Sequence, residues 1–112
     1  MSSTVISFED FQNVDLRMGT IIEVLDFPKA KVPAFQLKID FGDLGIKKSS
    51  AQITTLYSKE ALMHKQVIAV VNFEAKQIAN FKSECLVLGV QNGKDVVLLQ
   101  GGENIANGTQ VL

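Results

Sequence analysis

The side chains able to do chemistry are few and scattered. His64 and Cys85 are the only imidazole and the only thiol in the chain. A zinc site of the usual nitrogen and sulfur composition needs more ligands than these, so no metal is expected. Serines and aspartates suffice for a Ser-His-Asp arrangement on paper. His64, however, falls at the end of a helix-like stretch, where an exposed imidazole beside the last carbonyls has an ordinary role. Cys85 opens an apolar run (CLVLG) and reads as a small buried hydrophobe. No phosphate-binding glycine loop and no dinucleotide fingerprint occurs. Gly42-Asp43-Leu44-Gly45 has the letters of an RNA-gripping GXXG loop, but it joins strands and carries no basic residue. Neither catalysis nor a cofactor is expected.

The richest stretch is 72–84, Asn72-Phe73-Glu74-Ala75-Lys76-Gln77-Ile78-Ala79-Asn80-Phe81-Lys82-Ser83-Glu84. It puts two lysines, two phenylalanines, amides and a hydroxyl into one irregular connection. Lysines grip phosphates, while rings and amides stack on or hydrogen-bond to an unpaired base. The same residues also suit a polar loop whose phenylalanines plug a barrel end. Composition alone does not separate the two.

The 112 residues carry 12 acids and 11 bases, net charge -1, so the molecule as a whole is not a basic nucleic-acid binder. The charge is unevenly spread. Up to Phe27, Arg17 stands alone against Glu9, Asp10, Asp15, Glu23 and Asp26; from Pro28 to Ser50, Lys29, Lys31, Lys38, Lys47 and Lys48 face only Asp40 and Asp43. A local basic face can steer a polyanion whatever the net charge. The same lysines could equally solubilise exposed strand faces.

Length and a 46% apolar content predict one domain over 1–112 with one modest core, residues 1–6 being flexible. The longest apolar run, Val67 to Val71, is far short of the roughly 18 residues of a membrane span. The leading MSSTVIS has no basic start followed by an apolar stretch, so no membrane insertion is expected. A single cysteine allows no internal disulfide, which fits a cytoplasmic address.

The positioning elements follow from periodicity. Ser7 with Asp10 three places on predicts a short capped helix ending near Asn13. From Val14 the period is two, with Val14, Leu16, Met18, Ile22 and Val24 on one face and Gly19 placed for a bulge. A loop over 26–33 precedes a half-buried strand from Phe35 to Phe41. A third strand, Ile46 to Ile53, follows the Gly42–Gly45 turn. Residues 54–64 read as a helix capped by Thr54, Thr55 or Ser58. Gln66 to Phe73 is a β-branched strand, apolar on both faces, and Cys85 to Val90 a fifth. Asn92-Gly93 marks a hairpin back through Val96 to Leu99. A long bent first strand, with a helix between the third and fourth strands, predicts an all-β fold with short helices. Its sharper form is a five-stranded OB-fold Greek-key barrel with N- and C-terminal extensions.

On these blocks the chain resembles the tRNA-binding domain family, from about Phe8 to its C-terminus. The resemblance rests on FQNVDLRMG (11–19), FPKAK (27–31), IKKSSAQIT (46–54), KQVIAVVNF (65–73) and the Phe81-Lys82-Ser83-Glu84 turn. The family includes free-standing proteins, among them secretion-related chaperones, and domains appended to some tRNA synthetases. It implies an OB barrel, a symmetric homodimer, and tRNA bound by shape and backbone. Matched by position, the implied contacts are Asn72, Lys76 and Ser83 with Glu84 and Leu86, joined by Lys82 of the same stretch and by Lys31 and Lys48 of the basic face. Three departures stand out. Glu74-Ala75-Lys76-Gln77 replaces a proline pair and two basic residues, Asn80 stands where glycine is usual, and Leu86 replaces a methionine.

Two functions follow as expectations. The first is a non-catalytic module for tRNA or another structured RNA, with affinity lowered by the charge lost at 74–77. The second is a chaperone holding unfolded or pre-secretory polypeptides on an apolar surface. A homodimer is expected because the apolar residues of 6–11 and 105–112 have no obvious place in a five-stranded barrel.

Overall fold

A computed structural model describes residues 4–112; the expectation of a flexible start at 1–6 lies, for 1–3, outside the described residues. The first element is α1 (Phe8–Gln12), whose start is fixed by reciprocal capping at Ser7, itself extended. The Asp10 N–H donates to Ser7 Oγ at 3.0 Å, and the Ser7 N–H donates to Asp10 Oδ2 at 3.2 Å.

The barrel comes from β1 (Leu16–Asp26), β2 (Phe35–Asp40), β3 (Ile46–Ala51), β4 (Gln66–Val70) and β7 (Leu86–Val87), in the order β3-β2-β1-β4-β7, each pair antiparallel. β1 is long because it serves two neighbours: Leu16 to Thr20 pair with β4, and Thr20 to Asp26 with β2. Across the remaining gap the Glu84 N–H donates to the Lys48 carbonyl at 2.7 Å. The result is a five-stranded, nearly closed antiparallel barrel of the predicted OB type. Its core is Ile21, Leu37, Ile39, Phe41, Leu62 and Val67, all fully buried.

The bend in β1 does not sit at Gly19, as predicted, but between Ile21 and Glu23, where the register to β2 shifts. Gly19 stays in the ladder opposite Val67. Its missing side chain makes room for the core: a Cβ there would lie 2.6 Å from both Ile39 Cγ2 and Phe41 Cε1. The shift also re-sorts the faces, bringing Ile21 and Val24 into the core while Met18 is buried beside the C-terminal segment. That segment does have a place. It runs along β1, with Met18 N–H donating to Thr109 O, Gly108 N–H to Met18 O and Val111 N–H to Leu16 O. Thr20 Oγ1 anchors it by donating to Asn107 Oδ1 at 2.7 Å.

Other elements are shorter than the sequence suggests. Of 54–64 only α2 (Lys59–Leu62) is helical, capped by Ser58, with Leu62 as its buried anchor. β3 stops at Ala51 and β4 at Val70, because the chain then turns to the barrel end. The predicted fifth strand breaks after Val87. Residues beyond it join a separate hairpin of β8 (Gly89–Asn92) and β9 (Asp95–Leu98). There Gly93 takes the positive φ of 64° that the tight turn requires.

Candidate nucleic-acid interface

The connection read as irregular holds order of its own. β5 (Lys76–Ile78) and β6 (Phe81–Ser83) form a hairpin pairing Lys76 with Ser83, Gln77 with Lys82 and Ile78 with Phe81. The left-handed turn residue is Ala79 (φ 51°), not Asn80, so the family's glycine position is not the one under conformational demand. Alternation gives the hairpin two faces. Lys76, Ile78, Phe81 and Ser83 share one; Gln77 and Lys82 share the other and are exposed.

Phe81 fastens the hairpin. It is buried with Phe27 and Ala34, the Phe27 and Phe81 rings lying 5.4 Å apart at 59°. The Lys48 ammonium sits 5.4 Å over the same ring, a favourable cation–π arrangement. The loop carrying Lys29 and Lys31 is therefore held against the hairpin carrying Lys76 and Lys82. Among the described residues the ion pairs are Arg17–Asp15, Lys38–Glu23 and Lys59–Asp26. Lys29, Lys31, Lys48, Lys76 and Lys82 have no carboxylate partner there, so their charge is not neutralised by an ion pair.

Next to the hairpin a cleft of about 700 Å³ follows the β3–β7 gap. Lys76, Ser83, Glu84 and Leu86 line it, as do Phe73 and Glu74. Phe73 is 55% exposed, an unusual state for phenylalanine. The structure thus brings four of the eight candidates into one cleft. Lys82 points from the opposite hairpin face, Lys48 lies over Phe81, and Lys31 stands on the adjoining loop. Asn72 sits beside Phe73, but its amide is occupied. Nδ2 donates to Asn13 O at 2.8 Å and Oδ1 accepts from the Asp15 N–H at 3.0 Å, tying the end of β4 to the N-terminal segment.

Sequence reasoning missed Ser50 of β3 and Gln52 just beyond its end, which also line the cleft. No local signal marks them, since barrel closure alone brings them there. Cys85 lines the cleft floor, and burial pushes its thiol up to about 12. A thiol so raised is no nucleophile at neutral pH.

Residues 16–110 match the family model described as "Putative tRNA binding domain". The chain belongs to this tRNA-binding domain family. As a tRNA-binding domain it superposes on the crystal structure of chaperone CsaA from Bacillus anthracis, with a TM-score of 0.92 and 52% identity. That match covers 97% of this chain and 100% of the other. For CsaA from Picrophilus torridus the values are 0.91 and 50%, covering 96% and 100%. The methionine–tRNA ligase of Pyrococcus horikoshii is 35% identical over 106 residues, which is 95% of this chain and 14% of the ligase. The domain spans about that small fraction of the ligases it matches. No helix among the described residues is long and apolar enough to cross a membrane.

Proposed function

We propose that this protein binds tRNA non-catalytically, as a homodimer in the cytoplasm, by shape and backbone contacts around the β5–β6 hairpin. The observation that carries the reading is the set of lysines without acidic partners gathered at one place. Lys31, Lys48 and Lys76 come from three separate segments joined there by Phe81, and Lys82 extends the positive charge to the hairpin's other face. Phosphates are the ligand such a group suits, because each contact releases condensed counterions. The acids that make the net charge negative are mostly elsewhere in sequence, and five of them precede Pro28. Asn72 contributes by fixing the end of β4, while Phe73 and Leu86 offer apolar contact to sugar or base.

Titration of total tRNA against the protein over a salt series tests this. Four phosphate contacts give a log–log slope of about -3 per protomer. Lys76→Glu should weaken all tRNAs alike and make the slope shallower. Binding indifferent to salt overturns the proposal.

The cleft also supports a second reading, a chaperone for unfolded or pre-secretory polypeptide. Phe73 and Leu86 are exposed at its edge, and Ile53, Val87 and Leu98 line its apolar depth. The CsaA structures that match over their full length carry the name chaperone. Suppression of a model protein's aggregation, lost when the protein is saturated with tRNA, would place both ligands on one surface. Absence of suppression at stoichiometric excess removes this reading.

A further inference from the structure

The outer edge of β3 faces the barrel's open gap, and an open strand edge leaves N–H and C=O groups without partners. Here side chains take the place of the missing strand. The Lys48 N–H donates to Glu84 Oε1 at 2.9 Å, while the Glu84 N–H donates to the Lys48 carbonyl at 2.7 Å. Two residues further along β3, on the same outer edge, the Ser50 N–H donates to Ser83 Oγ at 3.1 Å. Glu84 thus grips both backbone groups of Lys48, and Ser83 grips the next outward amide. β6 ends at Ser83, so these contacts set the distance from β3 to the hairpin. They also fix Lys48, whose ammonium lies over Phe81 of that hairpin.

We infer that Glu84 and Ser83 are positioning residues for the polyanion surface rather than contacts to RNA. A carboxylate placed directly against phosphate would repel it. Held on the Lys48 amide, the same carboxylate serves to set two cations, Lys48 and the hairpin's Lys76, in a fixed spacing. This rests on the tRNA reading above. It adds that Glu84 is required within the interface for its hydrogen-bonding geometry and not for its charge.

The test compares Glu84→Ala, Glu84→Gln and Ser83→Ala with the parent protein by tRNA titration over a salt series, with thermal melting alongside. Glu84→Ala removes one of the three clips between β3 and the hairpin and leaves the Lys48 N–H without its acceptor. It should lower affinity at least 10-fold and make the salt slope shallower by about 1 to 2, the loss of one or two phosphate contacts. Glu84→Gln still offers an oxygen to the Lys48 N–H, and should restore the parental slope with affinity equal to or above the parent's. Ser83→Ala should fall between them. A reduced affinity with unchanged slope in both Glu84 variants means direct contact and overturns the inference, as does parental behaviour of Glu84→Ala. If Glu84→Ala does not fold, the Gln and Ser83 variants carry the same discrimination through their slopes. Failure of the parent protein to bind tRNA would instead overturn the underlying reading, so the two failures are distinguishable.

Discussion

At the scale of single residues, most polar side chains near the cleft hold the backbone in place. Asn72 spans Asn13 and Asp15, Ser83 serves Ser50, and Glu84 serves Lys48. Net hydrogen-bond contributions of about 1 kcal/mol each are typical for such contacts. Cys85 gives the residue-scale prediction. In the folded protein its thiol ionises near 12, raised from an ordinary 9.0 chiefly by burial. Glu84 adds to the rise, while Lys47 and the Ser49 hydrogen bond oppose it. The unfolded chain therefore releases this proton first, and rising pH favours unfolding. The Cys85 contribution to stability is complete below pH 9 and is lost as pH rises from about 9 toward 12. Chemical denaturation followed across pH 8 to 11 should show that decline, and Cys85→Ala should show less of it. Alkylation of the native protein at pH 8 should be slow and should become fast on unfolding.

At the scale of elements, the β5–β6 hairpin is three residues a side and cannot hold itself. Its stability comes from Phe81 in a satellite cluster with Phe27 and Ala34, and from the clips on β3. Phe81→Ala should therefore cost about 3–5 kcal/mol, with the loss concentrated locally. Amide exchange of 76–83 should accelerate well beyond that of β1, β2 and β4, and tRNA affinity should fall although no lysine has changed. Uniform acceleration across the barrel would show that the hairpin is not an independent unit. The hairpin was not legible beforehand, because three-residue strands give too short an alternation to register. Asn80 stands at the position where the family usually has glycine, yet Ala79 takes the left-handed conformation, since the pairing of Ile78 with Phe81 places the turn.

At the scale of the whole molecule, 7453 Å² of surface is accessible, against about 6,000 Å² for a compact chain of 12.2 kDa. Val5, Ile6 and Phe8 project at the N-terminal end and Leu112 at the other. The C-terminal segment itself is accounted for by its run along β1, so the case for a partner copy rests on the N-terminal residues and on this surface. Sedimentation at micromolar concentration should give about twice the 12.2 kDa chain mass, and Phe8→Asp with Ile6→Asp should shift the protein to monomer. A parent protein sedimenting as a monomer overturns the dimer. Association would also present each group of lysines twice, a geometry suited to a ligand as large as tRNA.

The amino-acid sequence by itself determined the barrel and its class. Long alternating runs, two prolines confined to a loop, and an insert between the third and fourth strands are local patterns, and local patterns follow from backbone and side-chain period alone. It also determined which residues are cationic and which segment is chemically rich. Only the tertiary structure decided which of these side chains act together. Lys76 and Ser83 meet by register while Lys82 turns away. Lys48 reaches Phe81 from a strand more than thirty positions distant, and Glu84 spends its carboxylate on an amide of β3. Such pairings depend on how a sheet closes on itself. Closure is set by the sum of many packing contacts, and no short stretch of chain carries a record of it.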